Sequence, residues 1–201
     1  MTTPEVSQSG VYLPLATECA GKIREIVIPA AEQVCRYLGN LGIQVSLLPR
    51  DYLGATYLGH RNFTSGTDMA FNAQRFLATV NKRVGPRLNN LPEVPIADTW
   101  VHRGKPRAML PCGVLLRADD PTVQRMRTES VAIGRMFRES GGRCNRVGAA
   151  DHVTLFSLRS VDNQPVALPL AIRHKVEGML WQVMRRADVS TLTFAGLRVG
   201  Q

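Results

Sequence analysis

Two residues near the C-terminal third stand where they can do chemistry together. His152 and Thr154 are two apart in Asp151-His152-Val153-Thr154-Leu155-Phe156, a stretch that reads as a strand. A spacing of two puts both side chains on one face. An imidazole transfers protons at neutral pH. A hydroxyl beside it can hydrogen-bond a non-bridging phosphate oxygen. Val153 and Leu155 then face a core. Taken alone, the pair is a weak signal, and a core histidine beside a strand threonine is the commoner arrangement.

There are four histidines in all. His174 falls two positions from Ile172 on an amphipathic helix, pointing away from its apolar stripe, so it reads as a solvated surface residue. His60 and His102 lie near turns. Four cysteines, Cys19, Cys35, Cys112 and Cys144, show no Cys-x-x-Cys pair, so zinc and thioredoxin-like chemistry have no support and buried reduced thiols are expected. No Gly-rich loop follows a strand, which disfavours P-loop and dinucleotide sites.

The elements that must position these residues follow from periodicity. Gly10 to Ala16 reads as a strand, and Thr17 to Leu38 as a helix that Pro29 should kink or interrupt. Ile43–Leu48 and Tyr52–Gly59 are strand-like. A second helix is expected from Thr67 to Val84, ended by Gly85-Pro86, with a crossover loop over 86–98. Thr99–His102 and Arg107–Arg117 read as strands. Asp119-Asp120-Pro121 opens a third helix with an acidic cap and an early proline, and Gly141-Gly142 closes it. His152–Leu158 is a strand, Ala171–Ala187 a helix, and Val189–Val199 one final strand.

That order predicts an α+β fold with antiparallel sheets. The two halves share a grammar, each leading into a strand with a threonine two residues past Gly54 or His152, which hints at internal duplication. Residues 1–9 are expected to be a disordered tail and 10–201 a single bilobal domain. The 201-residue chain carries 44% hydrophobic and 20% charged residues and a net charge of +9. Arginine supplies most of that charge, and its planar fork suits phosphate, so RNA, nucleotides or acidic surfaces are the expected partners. No apolar run is long enough for a membrane span. The first eight residues lack the basic and apolar regions of a secretory signal, so a cytoplasmic setting is the expectation.

The chain resembles the 2H phosphoesterase family, which includes 2′-5′ RNA ligases and RNA cyclic phosphodiesterases. The resemblance covers most of its length. Gly10–Ala16 and the following helix look like that family's opening. Leu48-Pro49-Arg50-Asp51-Tyr52-Leu53-Gly54-Ala55-Thr56-Tyr57-Leu58-Gly59 looks like the segment with its first His-x-Thr motif. Pro106–Arg117, the helix after Asp120 and Asp151–Leu155 look like the second-motif half, and Val189–Phe194 like the closing strand.

The resemblance implies a two-lobed, pseudo-twofold fold, with two antiparallel sheets flanking a central cleft and helices outside. It implies two histidines facing across a phosphate, one base and one acid, with two hydroxyls holding the phosphate and no metal or cofactor. Substrates would be 2′,3′-cyclic phosphates or phosphodiesters of RNA or nucleotides. Here Gly54 stands where the first histidine is expected, while Thr56, His152 and Thr154 match. His60, through a turn at Gly59, or His102 could supply the second acid–base group. Arg50, Arg103, Arg107, Arg143 and Arg146 are expected near the cleft mouth as phosphate or RNA contacts. Tyr52, Tyr57 and Phe156 could stack a base or simply pack in the core. Without a second proton-transfer group, the fold would instead bind RNA or nucleotide, or a protein partner, without chemistry.

Overall fold

Strand segments with one apolar face must pair edge to edge and bury that face. In the computed structural model, which describes residues 10–59, 62–63, 67–68, 71–143, 148 and 150–200, they do so as two antiparallel sheets. The expected tail at 1–9 lies outside the described residues. The smaller sheet has β1 (Gly10–Pro14) in the middle, between β3 (Gly54–Leu58) and β8 (Arg198–Gly200). The larger has the order β2-β6-β5-β4-β7, from β2 (Ile43–Leu47), β6 (His152–Ser160), β5 (Leu110–Leu116), β4 (Val94–Val101) and β7 (Thr191–Leu192). This is the two-lobed α+β architecture that the resemblance implies, with helices on the outer faces.

The helices are exchanged between lobes. Helix α1 (Thr17–Leu38) follows β1 yet packs on β2 and β6 of the larger sheet, beside α4 (Leu170–Arg186). Helix α3 (Pro121–Glu139) follows β5 yet pairs with α2 (Ala73–Leu88), which packs on β8 of the smaller sheet. Each half of the chain therefore completes the other half's lobe.

Local chemistry explains most element ends. Asp120 caps α3 by accepting from the Thr122 and Val123 N–H groups at 2.8 and 3.2 Å, as its acidic-cap sequence predicts. Asn72 caps α2 by accepting from Arg75 N–H. Gly141, at φ +94°, supplies the left-handed turn after α3 that other residues rarely adopt.

Four expectations change. Helix α1 runs uninterrupted through Pro29, which is exposed, so water can bond the carbonyl its ring leaves without a partner. Helix α2 starts at Ala73 rather than Thr67 and passes through Gly85-Pro86 to Leu88. The buried series Phe76, Val80, Val84, Leu88 continues at helical spacing across that proline. The loop expected over 86–98 is thus shortened to 89–93, between the end of α2 and the start of β4. The Val189–Val199 stretch is not one strand. Thr191–Leu192 pairs with β4, Phe194 bridges to Leu15, and Arg198–Gly200 pairs with β1, so the chain passes from one sheet to the other. Likewise Arg50–Tyr52 forms a 3-10 turn before β3 begins at Gly54. The three described cysteines are free: Cys112 is buried, Cys19 half-buried and Cys35 exposed, while Cys144 lies outside the described residues. No helix among the described residues is long and apolar enough to cross a membrane.

Two interactions hold the outer layers. Phe63, Phe71, Phe76 and Phe137 form one ring cluster, with centroids 5.3–6.1 Å apart, that ties the 63–71 segment to α2 and α3. On the other lobe, β4 pairs with β5 on one side, and among the described residues its other edge has only the short pairing with β7. Helix α4 covers that edge. Glu177 Oε1 accepts from the Val101 N–H at 3.0 Å, and the Glu177 carbonyl accepts from the Thr99 hydroxyl at 2.8 Å. An uncovered edge amide would otherwise be a site for wrong pairing. Glu177→Ala should lower stability by about 1–3 kcal/mol through the orphaned amide. Glu177→Gln, which keeps an acceptor, should lose less; urea unfolding of the two variants checks the order.

Candidate functional site

β6 carries His152 and Thr154 on its open face, as the spacing predicts: Val153 is fully buried, while both flanking side chains are half-buried. His152 is held from two directions. Its Nδ1 lies 2.9 Å from Asp151 Oδ1. An ionised carboxylate only accepts, so Nδ1 carries the proton and donates it. That leaves Nε2 of the neutral ring as the acceptor. Asp151 also accepts from Arg127 Nη2 at 3.4 Å. The hydrogen bond from His152 lowers the Asp151 carboxyl from its ordinary value, against the opposing effect of burial. This is the carboxylate–imidazole arrangement that fixes a tautomer for general-base work.

The second support is Trp100. Trp100 on β4, Gly113 on β5 and Thr154 on β6 share one row of the sheet. The indole meets the His152 ring edge-on, centroids 4.6 Å apart, and a Cβ at Gly113 would collide with the Val153 carbonyl oxygen. The same indole meets His102, just past the end of β4, at 6.1 Å. The His102 ring folds over Gly104, where a Cβ would stand 2.6 Å from its Nε2. Burial, and then the charges of Arg107, His152 and Arg173, lower the His102 pKa. Both effects favour the neutral form of the His102 ring. It belongs to the same sheet as His152, not to the opposite one.

The opposite sheet presents Thr56, exposed on β3. Around it is an open cavity of about 470 Å³ lined by Tyr12, Tyr52, Gly54, Thr56 and Arg198, among others. Its lining comes from the smaller sheet and the segment before β3, and does not include His152. The two walls are linked through Gly148. Its N–H donates to the Tyr57 carbonyl at 2.8 Å, its carbonyl accepts from the Ser130 hydroxyl on α3, and a Cβ there would collide with the Thr56 carbonyl. Four residues further along, the chain reaches His152.

Gly54 sits opposite Pro14 on β1. A Cβ at this position would collide with the Leu13 carbonyl oxygen and stand 2.6 Å from Pro14 Cα. The strand pairing itself excludes a side chain here. His60 lies outside the described residues. Asn62 N–H donates to the Gly59 carbonyl at 2.9 Å, and Gly59 N–H donates to Asn62 Oδ1.

The arginines have mixed placements. Arg50 donates to the Thr17 carbonyl at the start of α1. Arg103 pairs with Glu177 at 3.5 Å, and Arg143 with Asp68. Arg107 is exposed near His102; Arg146 lies outside the described residues. Tyr57 and Phe156 are buried in the core, whereas Tyr52 lines the cavity. His174 is exposed, as its helical position predicts. Trp100, Tyr12 and Arg198 escape the sequence reading because only the strand register brings them to the site. Asp151, immediately before the motif histidine, was the one legible signal.

No protein-family model matches this chain, and no curated protein matches it. Among solved structures it is similar to Usb1 from Kluyveromyces marxianus with uridine monophosphate. The TM-score is 0.50 at 12% identity, covering 96% of this chain and 95% of that chain. The two share a fold. A second structure of Kluyveromyces marxianus Usb1 aligns with a TM-score of 0.48 at 13% identity, over 97% and 96% of the chains.

Two outcomes test this geometry. Gly54→Ala should destabilise the protein by about 1–3 kcal/mol, as over-packing does, in thermal or urea unfolding; Gly54→His should not be milder. Asp151 has a lowered folded-state pKa, so its stabilising contribution is complete above the unfolded aspartate value of about 3.9 and disappears as pH falls through the lowered one. The stability advantage of the unmodified protein over Asp151→Asn should therefore shrink below about pH 4, measured by urea unfolding across pH.

Proposed function

We propose that this protein is a 2H-type phosphoesterase acting on a 2′,3′-cyclic phosphate or phosphodiester of RNA or a nucleotide. The observation that carries this reading is the Asp151–His152 pair, with Nδ1 committed to the carboxylate and Trp100 against the ring. An imidazole so fixed has one nitrogen left for proton transfer. The ordered motif resemblance supports the superfamily. So does the fold shared with a Usb1 solved with uridine monophosphate. The net charge of +9 suits a polyanion.

In this reading, His152 Nε2 takes the proton of the attacking water. Thr154 beside it and Thr56 from the opposite sheet donate hydrogen bonds to the non-bridging phosphate oxygens. Such donors matter most as charge develops on those oxygens. Arg107, exposed near His102, can hold an adjacent phosphate.

One observation favours a second reading, in which the fold binds RNA or nucleotide without chemistry. Gly54 cannot carry a side chain, so the resemblance's first histidine is absent by construction. The two readings separate on one experiment. Purified protein is offered nucleoside 2′,3′-cyclic phosphates, short cyclic oligonucleotides and 2′-5′ oligomers. The phosphoesterase reading expects turnover that falls about 10²–10⁴-fold in His152→Ala. Salt-sensitive RNA binding with no turnover, unaffected by His152→Ala, supports the binding reading instead.

A further inference from the structure

We infer that Tyr12 replaces the missing first histidine as the proton donor to the leaving group, with Arg198 beside it to hold the phosphate. This rests on the phosphoesterase reading above and names how its incomplete acid–base pair is made up.

The inference starts from the register of the smaller sheet. Tyr12 is the cross-strand partner of Thr56 on one side and of Arg198 on the other. Directly opposite side chains in an antiparallel pair have Cβ atoms about 4.5–5.5 Å apart. Thr56, Tyr12 and Arg198 therefore form one row, and all three line the same cavity. Val11 and Leu13, on the other face of β1, are fully buried, so the row belongs to the open face.

A group that replaces an imidazole acid must carry a transferable proton next to Thr56. Of this row, Thr56 itself is assigned to the phosphate, and an arginine does not give up its proton in proteins. Tyr12 is the member that fits. Burial, with a further contribution from the Tyr52 phenol, raises its hydroxyl above the ordinary value. Its ring lies over Gly10, where any side chain would collide with it. That glycine leaves the phenol room on the strand.

The step balances as follows. The water oxygen bonds to phosphorus while its proton passes to His152 Nε2. The bond from phosphorus to the departing ribose oxygen breaks, and its electron pair stays on that oxygen. The Tyr12 hydroxyl gives that oxygen a proton. The phenolate then regains a proton that protonated His152 releases through solvent. One water is consumed and the enzyme is unchanged. Arg198 offsets the negative charge on the phosphate throughout.

The test uses two substrates that differ in their need for an acid. Uridine 2′,3′-cyclic phosphate expels an alkoxide, which requires a proton; a p-nitrophenyl nucleotide diester expels a stable phenolate, which does not. Tyr12→Phe should slow kcat on the cyclic phosphate about 10²-fold or more, and at least tenfold more than on the aryl ester. Arg198→Ala should raise KM for both alike. Equal losses on the two substrates, or no loss on either, overturn the role of Tyr12 while leaving the phosphoesterase reading intact. If the unmodified protein turns over neither substrate nor any other phosphodiester offered, the phosphoesterase reading fails and this inference falls with it.

Discussion

Gly148 fastens the chain just before β6 against β3 of the smaller sheet. Its N–H is bonded to the Tyr57 carbonyl, its own carbonyl to Ser130 on α3, and its α-carbon has no space for a substituent beside the Thr56 carbonyl. This backbone contact fastens the approach to β6 onto the smaller sheet, four residues before His152. A cleft built from two walls needs such a fixed reference. A side-chain contact would hop between rotamers, whereas a backbone hydrogen bond with no intervening side chain tolerates little slack.

The two walls are chemically unequal. The larger sheet supplies an aspartate, two imidazoles and an indole: groups that orient one another and move protons near neutrality. The smaller sheet supplies hydroxyls and an arginine: groups that can donate hydrogen bonds to oxygen. The resemblance implies a symmetric pair of motifs. The cause of the asymmetry is steric and local. Pro14 and the Leu13 carbonyl crowd position 54 so closely that the strand pair and a motif histidine exclude each other.

Much of the framework is legible in the residues, because α1, α3 and β6 carry strong local signals: a buried stripe, an Asp-Pro start and a period-two alternation. What was not legible depended on partners distant in sequence. Pro29 and Pro86 stay helical because tertiary packing of Val27, Ala30, Val84 and Leu88 outweighs the loss of one hydrogen bond at an exposed position. The Val189–Val199 stretch has the composition of one strand, and only the positions of β4 and β1 divide it between two sheets. In the candidate site, His152 and Thr154 share a face by their spacing, and Thr56 comes from the resemblance. Trp100 and Tyr12 follow from register, which the local pattern of a single strand does not encode.

That divided stretch has a consequence for how the protein is made. β7 adds the outer strand of one sheet and β8 the outer strand of the other, and both come from residues 191–200. As the chain leaves the ribosome, the other helices and strands of the described residues precede these two. Neither lobe is finished before them, and both are finished together. Arg198 arrives in the same short stretch, so a growing chain has no completed cavity until its two halves are also joined.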